Sequence, residues 1–247
     1  MIDLEIIGQG ATTKIYLDGN TAIKLYVNVP IDEVENEAER QRFAYDAGLS
    51  VPAVFGVRRL DESTVTLDME YINGQPLIHA GMDKDERRKA IGVLARLQCM
   101  VHKVHAIGQP KQTERLAWKI KHTHYLDEPQ KDRLLALLER LSSNYENLCH
   151  GDFHPLNILY DGSKYWIIDW VDMTAGNPLA DACRTYIIFL EHMKRSAGIY
   201  LHAFCTEENV NPEDVLAWLP VIAAARLTEN IGDKSKTLLL DLIKNGI

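Results

Sequence analysis

The chain has 247 residues, a quarter of them charged and 46% hydrophobic, with 15 Gly and 9 Pro. These are the proportions of an ordinary soluble globular chain and exclude collagen-like or low-complexity architectures. The formal charge of −8, from 27 basic and 35 acidic side chains, argues against a nucleic-acid binder, which needs a basic face.

The longest apolar stretch, near residues 215–225, is broken by Pro220 and is too short to span a bilayer. Acids occupy the N-terminus where a secretion signal needs Lys or Arg before an apolar run, so the expected compartment is the cytoplasm, without membrane partners. Cys99, Cys149, Cys183 and Cys205 are scattered with no C-x-x-C pair, which predicts small buried apolar residues and not a zinc or redox motif.

In chain order, residues 2–7 and 14–17 read as short strands joined through Gly8-Gln9-Gly10. The turn Asp18-Gly19-Asn20 leads into a third strand, Thr21–Val27. Pro30 and Gly48 bracket a helix over residues 31–47, with an apolar stripe of Val34, Ala38 and Tyr45 and Glu37 on its shoulder. Residues 54–60 and 64–71 form a second hairpin, and the breaker cluster Asn73-Gly74-Gln75-Pro76 marks a boundary. The expected organisation is therefore an N-terminal lobe, 1–72, and a C-terminal lobe, 73–247.

Beyond the boundary, Ala90, Leu94, Leu97, Val101 and Val104 make one stripe of a long helix starting near Asp83. A Leu-rich helix follows over residues 130–141. Short extended runs return between residues 148 and 170, and helices follow from Pro178. The predicted class is α+β, a β-rich lobe followed by a mainly α-helical one.

The chemistry is concentrated in His150-Gly151-Asp152-Phe153-His154-Pro155-Leu156-Asn157-Ile158-Leu159 and, after a turn, Trp166-Ile167-Ile168-Asp169-Trp170. Two acids and an amide at the edges of apolar strands would be costly to bury alone, which points to a cation or a reacting group. A hairpin would bring Asp152, Asn157 and Asp169 to one end of a small sheet. A zinc site built on His150-x-Asp152-x-His154 is an alternative. It would make the chain a metal-dependent hydrolase, but leaves Asn157 and Asp169 without a role.

This stretch resembles the aminoglycoside phosphotransferase and choline-kinase-like family, with its protein-kinase-like fold of two lobes. Gly151 stands where protein kinases have Arg, and Ile168-Asp169-Trp170 where they have Asp-Phe-Gly. The resemblance implies that Asp152 orients an acceptor hydroxyl and takes its proton late, and that Asn157 and Asp169 hold Mg²⁺ against the phosphates of ATP. His150 would brace the loop, and His154 would be structural.

Gly8-Gln9-Gly10-Ala11-Thr12-Thr13-Lys14-Ile15 resembles the family's phosphate-covering loop, with Thr13 replacing the third Gly, and Ala22-Ile23-Lys24 resembles the strand of the phosphate-binding lysine. Glu33, Glu35, Glu37 and Glu39 compete as the acid that fixes Lys24; alignment on Gly48-Leu49-Ser50-Val51-Pro52 selects Glu37. In Leu67-Asp68-Met69-Glu70-Tyr71-Ile72, the backbone at Glu70 and Ile72 would meet adenine and Met69 would line the pocket.

Asp181 reads as an acid favoured by the dipole at a helix start, while His102 and His105 read as packed or hydrogen-bonded. Trp118, His122 and His124 are candidates for a substrate cleft. The implied function is transfer of the γ-phosphate of ATP to a small-molecule hydroxyl, such as that of an aminoglycoside, amino alcohol or sugar. A non-catalytic nucleotide-binding pseudokinase module is a second reading, and a protein kinase is disfavoured because no long activation loop follows Trp170.

Charge bears on the acceptor. Residues 1–75 carry 6 basic and 13 acidic groups, residues 76–145 carry 13 and 8, and residues 146–247 carry 8 and 14. A polycationic acceptor is thus permitted by the chain but not favoured by it.

Overall fold

The computed structural model describes residues 5–9, 13–143, 145–244 and 246. In chain order the elements begin β1 (Glu5–Gln9), β2 (Thr13–Asp18), β3 (Thr21–Val27), α1 (Ile31–Asp46), β4 (Val54–Arg59), β5 (Thr64–Glu70) and β6 (Gln75–Pro76). Then follow α2 (Lys84–His102), α3 (Gln112–His122), α4 (Glu128–Leu141), β7 (Asn147–Cys149), β8 (Ile158–Tyr160), β9 (Tyr165–Ile167) and β10 (Thr174–Gly176). The chain closes with α5 (Pro178–His192), α6 (Lys194–Glu208), α7 (Pro212–Leu216), α8 (Leu219–Arg226) and α9 (Asp233–Lys244). Among the described residues no helix is long and apolar enough to cross a membrane.

Two compact units emerge. The first comprises the described residues up to His79 together with Leu156–Val171. Its main sheet is antiparallel in the order β1-β2-β3-β5-β4. β3 and β5 lie inside the sheet, paired so that Lys24 stands opposite Leu67. Tyr26, Val65 and Leu67 of those strands pack with Val34 and Ala38 of α1 into the core of this unit.

The inward face of α1 is Val34, Glu37, Ala38, Gln41 and Ala44, a spacing of three and four residues that keeps one side of a helix buried. Tyr45, expected on that stripe, is exposed instead, because Ala44 takes the inward position one residue earlier. The breaker cluster near Asn73 contains a strand of its own: Gln75 and Pro76 pair with Tyr160 and Leu159, making the small sheet β6-β8-β9.

The second unit comprises Ala80–Pro155 and Asp172–Ile247, of which the described part is mainly helical. α2 begins at Asp83, whose carboxylate accepts from the Asp85 and Glu86 N–H groups while the Glu86 carboxylate returns to the Asp83 N–H. This reciprocal cap satisfies donors that a helix start otherwise leaves open. α2 packs on α6, and α5 on α6 and α8. Residues 220–226 of α8 are buried on every side, as expected of a helix without a polar face. All four cysteines are buried and free.

Candidate active site

In the first unit, a cleft of about 440 Å³ opens beside β3 and β5. Lys24, Glu37, Met69, Glu70 and Ile72 line it. So do Gly8 and Thr13, and also Asn157 and Asp169 from the segment that returns to this unit. Gly10 lies outside the described residues, and Asp152 belongs to the second unit.

The Lys24 ammonium donates to Glu37 Oε1 at 2.7 Å and to Asp169 Oδ1 at 3.2 Å. Tyr26 Oη donates to the other Glu37 oxygen at 2.6 Å. Glu37 is turned inward with only 3% of its side chain exposed, whereas Glu33, Glu35 and Glu39 are exposed. Helical periodicity explains the difference, since Glu37 alone of the four falls on the buried face. Burial opposes the charge of Lys24 more than any other single influence, but the carboxylates of Glu37 and then Asp169 outweigh it and raise its pKa. Lys24 is a fixed cation on the cleft wall.

Asp169 has φ of +66°, the left-handed region that Asp tolerates better than most residues. Asn157 is buried, and its carbonyl accepts from the Ile168 N–H at 3.0 Å. Both side chains offer oxygen donors, which suit a hard divalent cation. At the other wall, the Ile72 carbonyl accepts from the Gly74 N–H, and among the described residues nothing accepts from the Ile72 N–H. The Glu70 N–H is committed to the Ala53 carbonyl at 2.8 Å. Met69 Sδ lies 3.6 Å from the Gln41 amide nitrogen.

In the second unit, Asp152 sits between two cationic or potentially cationic groups. Arg184 Nη2 is 3.1 Å from its Oδ1, and His154 Nε2 is 3.2 Å from its Oδ2. Burial pushes the Asp152 pKa up, but the His154 hydrogen bond and the Arg184 charge prevail and hold the carboxyl below the usual range. His154, expected to be structural, thus touches Asp152 directly. His150 is fully buried, accepts from the Asp152 N–H at 3.2 Å and meets Phe153 edge-on.

The loop is held from behind by Asp181. This carboxylate is buried, accepts from the Gly151 N–H at 2.8 Å, and meets Gln98 and His102 at 3.0 Å each. Its role is larger than the helix-dipole reading allowed. Gly151 has φ of +82°, and a Cβ there would collide with the Asp172 carbonyl, so glycine is required at this turn.

Six residues not singled out by the sequence, Arg184, Glu229, Lys119, Arg226, Arg115 and Asp172, form the ionic cluster that includes Asp152. Arg184 reaches Glu229 at 2.7 Å, Lys119 reaches the same carboxylate at 2.9 Å, and Arg226 reaches it at 3.1 Å. Arg115 is paired with Asp172. Arg115 and Lys119 are one turn apart on α3, a signal readable only once that helix is known. Trp118 lies exposed on the same helix with His122 stacked on it at 4.2 Å. Among the described residues no three His, Cys, Asp or Glu side chains converge as a metal site.

No protein of curated function matches the sequence. Among solved structures, an aminoglycoside-3'-phosphotransferase of type VIII is similar with a TM-score of 0.66 and 21% identity, over 90% of this chain and 93% of that one. A thermostable mutant of aminoglycoside phosphotransferase APH(4)-Ia, in ternary complex with AMP-PNP and hygromycin B, has a TM-score of 0.71 and 16% identity over 99% and 94%. The amicoumacin kinase hAmiN, in complex with AMP-PNP, Ca²⁺ and Ami, has a TM-score of 0.66 and 14% identity over 98% and 87%. These likenesses show the α+β, protein-kinase-like fold expected from the sequence. Residues 4–218 match the phosphotransferase enzyme family, and the chain belongs to that family.

Proposed function

We propose that the protein transfers the γ-phosphate of ATP to a hydroxyl of a small molecule. The observation that carries this reading is Lys24, held as a cation between Glu37 and the left-handed Asp169 on the wall of a 440 Å³ cleft. Phosphoryl transfer has a loose transition state, so the protein's task is alignment and neutralisation of charge. A lysine fixed by two carboxylates suits that task, because its position does not depend on the ligand.

In this reading Lys24 meets the phosphates, while Gly8, Gly10 and Thr13 belong to the loop that covers them. The Ile72 N–H and the Glu70 carbonyl face the adenine edge, and Met69 packs against the base. Asn157 and Asp169 hold Mg²⁺, which when bound supplies neutralisation of phosphate charge. Asp152 accepts a hydrogen bond from the acceptor hydroxyl and aims its oxygen. A carboxylate held below its usual pKa is a weak base, so the proton moves to Asp152 late, once the new P–O bond has acidified the hydroxyl.

Structures of similar fold with AMP-PNP bound support a nucleotide as one substrate. The test is thermal denaturation with ATP, with and without Mg²⁺. Mg-ATP should raise the melting temperature by mass action. No response at millimolar nucleotide would remove the reading.

A further inference from the structure

Helix α5 holds the loop around Asp152 at three consecutive residues. Asp181 accepts from the Gly151 N–H at 2.8 Å, Arg184 Nη2 donates to Asp152 Oδ1 at 3.1 Å, and the Thr185 hydroxyl donates to the Phe153 carbonyl at 2.8 Å. Offsets of three and four place Asp181, Arg184 and Thr185 on one face of the helix. Two of these contacts hold backbone. The one made by Arg184 holds the carboxylate itself.

Arg184 is fixed in its turn. Glu229 accepts from both ends of its guanidinium, from Nη1 at 2.7 Å and from Nη2 at 3.4 Å, which sets the plane of the group. Lys119 and Arg226 hold Glu229 at 2.9 and 3.1 Å, and Arg226 is anchored by Glu191 at 2.7 Å. Arg115 pairs with Asp172, whose other oxygen lies 3.8 Å from Arg184. Cations and carboxylates are thus matched across the cluster, and only 13% of the Arg184 side chain is exposed. Burial opposes the charge of Arg184, but Glu229 and then Asp152 outweigh it and raise its pKa. The group beside Asp152 is a permanent cation held by the protein's own acids.

We propose that Arg184 is a positioning residue for the reaction: through Oδ1 it fixes the direction of the Asp152 carboxylate, and Glu229 holds Arg184 at that angle. His154 Nε2 also lies 3.2 Å from Oδ2, but that imidazole belongs to the same loop and moves with it. Arg184 stands on a separate helix whose inner face is buried. Aim matters because a displacement of about 1 Å at a reacting group can lower a rate about 100-fold. Lysine is a poor substitute, since one ammonium cannot span Glu229 and Asp152 as a planar fork does.

The inference rests on the phosphotransferase reading for what Asp152 does, and its test keeps the two apart. Wild type, Arg184→Lys and Arg184→Met are isotopically labelled at aspartate, folding is checked by melting, and the Asp152 signals are assigned by their loss in Asp152→Asn. Carboxyl couplings in the NMR spectrum then report the χ1 rotamer of Asp152. The same proteins are titrated with Mg-ATP by calorimetry and assayed for transfer from γ-labelled Mg-ATP to glycerol, ethanolamine, glucose and glycerate.

Wild-type Asp152 should occupy one rotamer. Arg184→Met should average it over several and lower kcat by about 100-fold, with the affinity for Mg-ATP unchanged. Arg184→Lys should recover part of both. Should Arg184→Met not fold, Arg184→Lys must by itself show a loosened Asp152 and a lowered kcat. An unchanged rotamer in the variants, an unchanged kcat, or a loss of kcat matched by loss of Mg-ATP binding would overturn the proposal. Where no alcohol of the panel is labelled, the rotamer decides it, and failure of wild type to bind Mg-ATP as well removes only the phosphotransferase reading.

Discussion

Replacing Glu37 by Gln should loosen the first unit and its cleft together. The wild-type carboxylate accepts from Lys24 at 2.7 Å and Tyr26 at 2.6 Å, both with an ionised acceptor. Hydrogen bonds to a charged group contribute about 1.5–3 kcal/mol each. An amide retains one acceptor oxygen and turns a donor toward the second partner, so one of the two is lost and the other weakened. The contact of Lys24 with Asp169 at 3.2 Å persists and limits the damage, keeping the expected loss near 3 kcal/mol, at the lower end for a broken buried pair. For a chain of this size that corresponds to a fall in Tm of about 6–12 °C.

The measurement belongs at neutral pH. Because the folded pKa of Lys24 is raised, its contribution is fully present below the unfolded value near 10.5 and is lost only as pH rises through the folded one. Calorimetry of Glu37→Gln and Tyr26→Phe, singly and combined, should give non-additive losses, since both act on one carboxylate. A Glu37→Gln protein that melts within about 1 °C of wild type and binds Mg-ATP equally well would refute the reasoning.

Three further outcomes are expected. Gly151→Ala must hold a left-handed backbone and displace the Asp172 carbonyl; denaturant unfolding should show a loss of about 3 kcal/mol. Glu229 is partly buried, yet Arg184, Arg226 and Lys119 prevail over burial and hold its pKa at about 2, against 4.5 ordinarily. Its stabilisation, about 3 kcal/mol, is present above about pH 4.5 and lost as pH falls toward 2. Stability measured from pH 7 to pH 3 should therefore fall less steeply in Glu229→Gln than in wild type. Asp169→Asn keeps a residue tolerant of φ +66° and should cost under about 1 kcal/mol of stability. In steady-state kinetics it should nonetheless lower kcat by about two orders of magnitude or more.

Local patterns carried much of this into the sequence. The strand Thr21–Val27 and the helix behind Pro30 were legible from alternation and punctuation, and the inward turn of Glu37 follows from its offset of three from Val34. Helix α3 was not legible. It lacks a side-chain cap, and its buried apolar residues are only Leu116 and Ile120. Without it, Arg115 and Lys119 had no common face.

Polar residues on buried faces were also hidden. Gln98 and His102 lie on the inner side of α2 because they satisfy Asp181, and a search for apolar spacing passes over them. The Arg184–Glu229 pair joins residues 45 apart, and no local signature encodes such a contact. The motif around Asp152 was plain, but its ionic surroundings depended on tertiary packing.

The proposed reaction is phosphoryl transfer from Mg-ATP to an alcohol. Wild type and Asp152→Asn, incubated with γ-labelled Mg-ATP and a panel of anionic, neutral and cationic alcohols, test it directly. Label should appear as a phosphate ester of an alcohol with wild type. It should be lost with Asp152→Asn while nucleotide binding persists, since the proposed reaction places Asp152 at the acceptor and not at the nucleotide. Label transferred equally by Asp152→Asn, or a wild-type protein that binds no Mg-ATP, would contradict it.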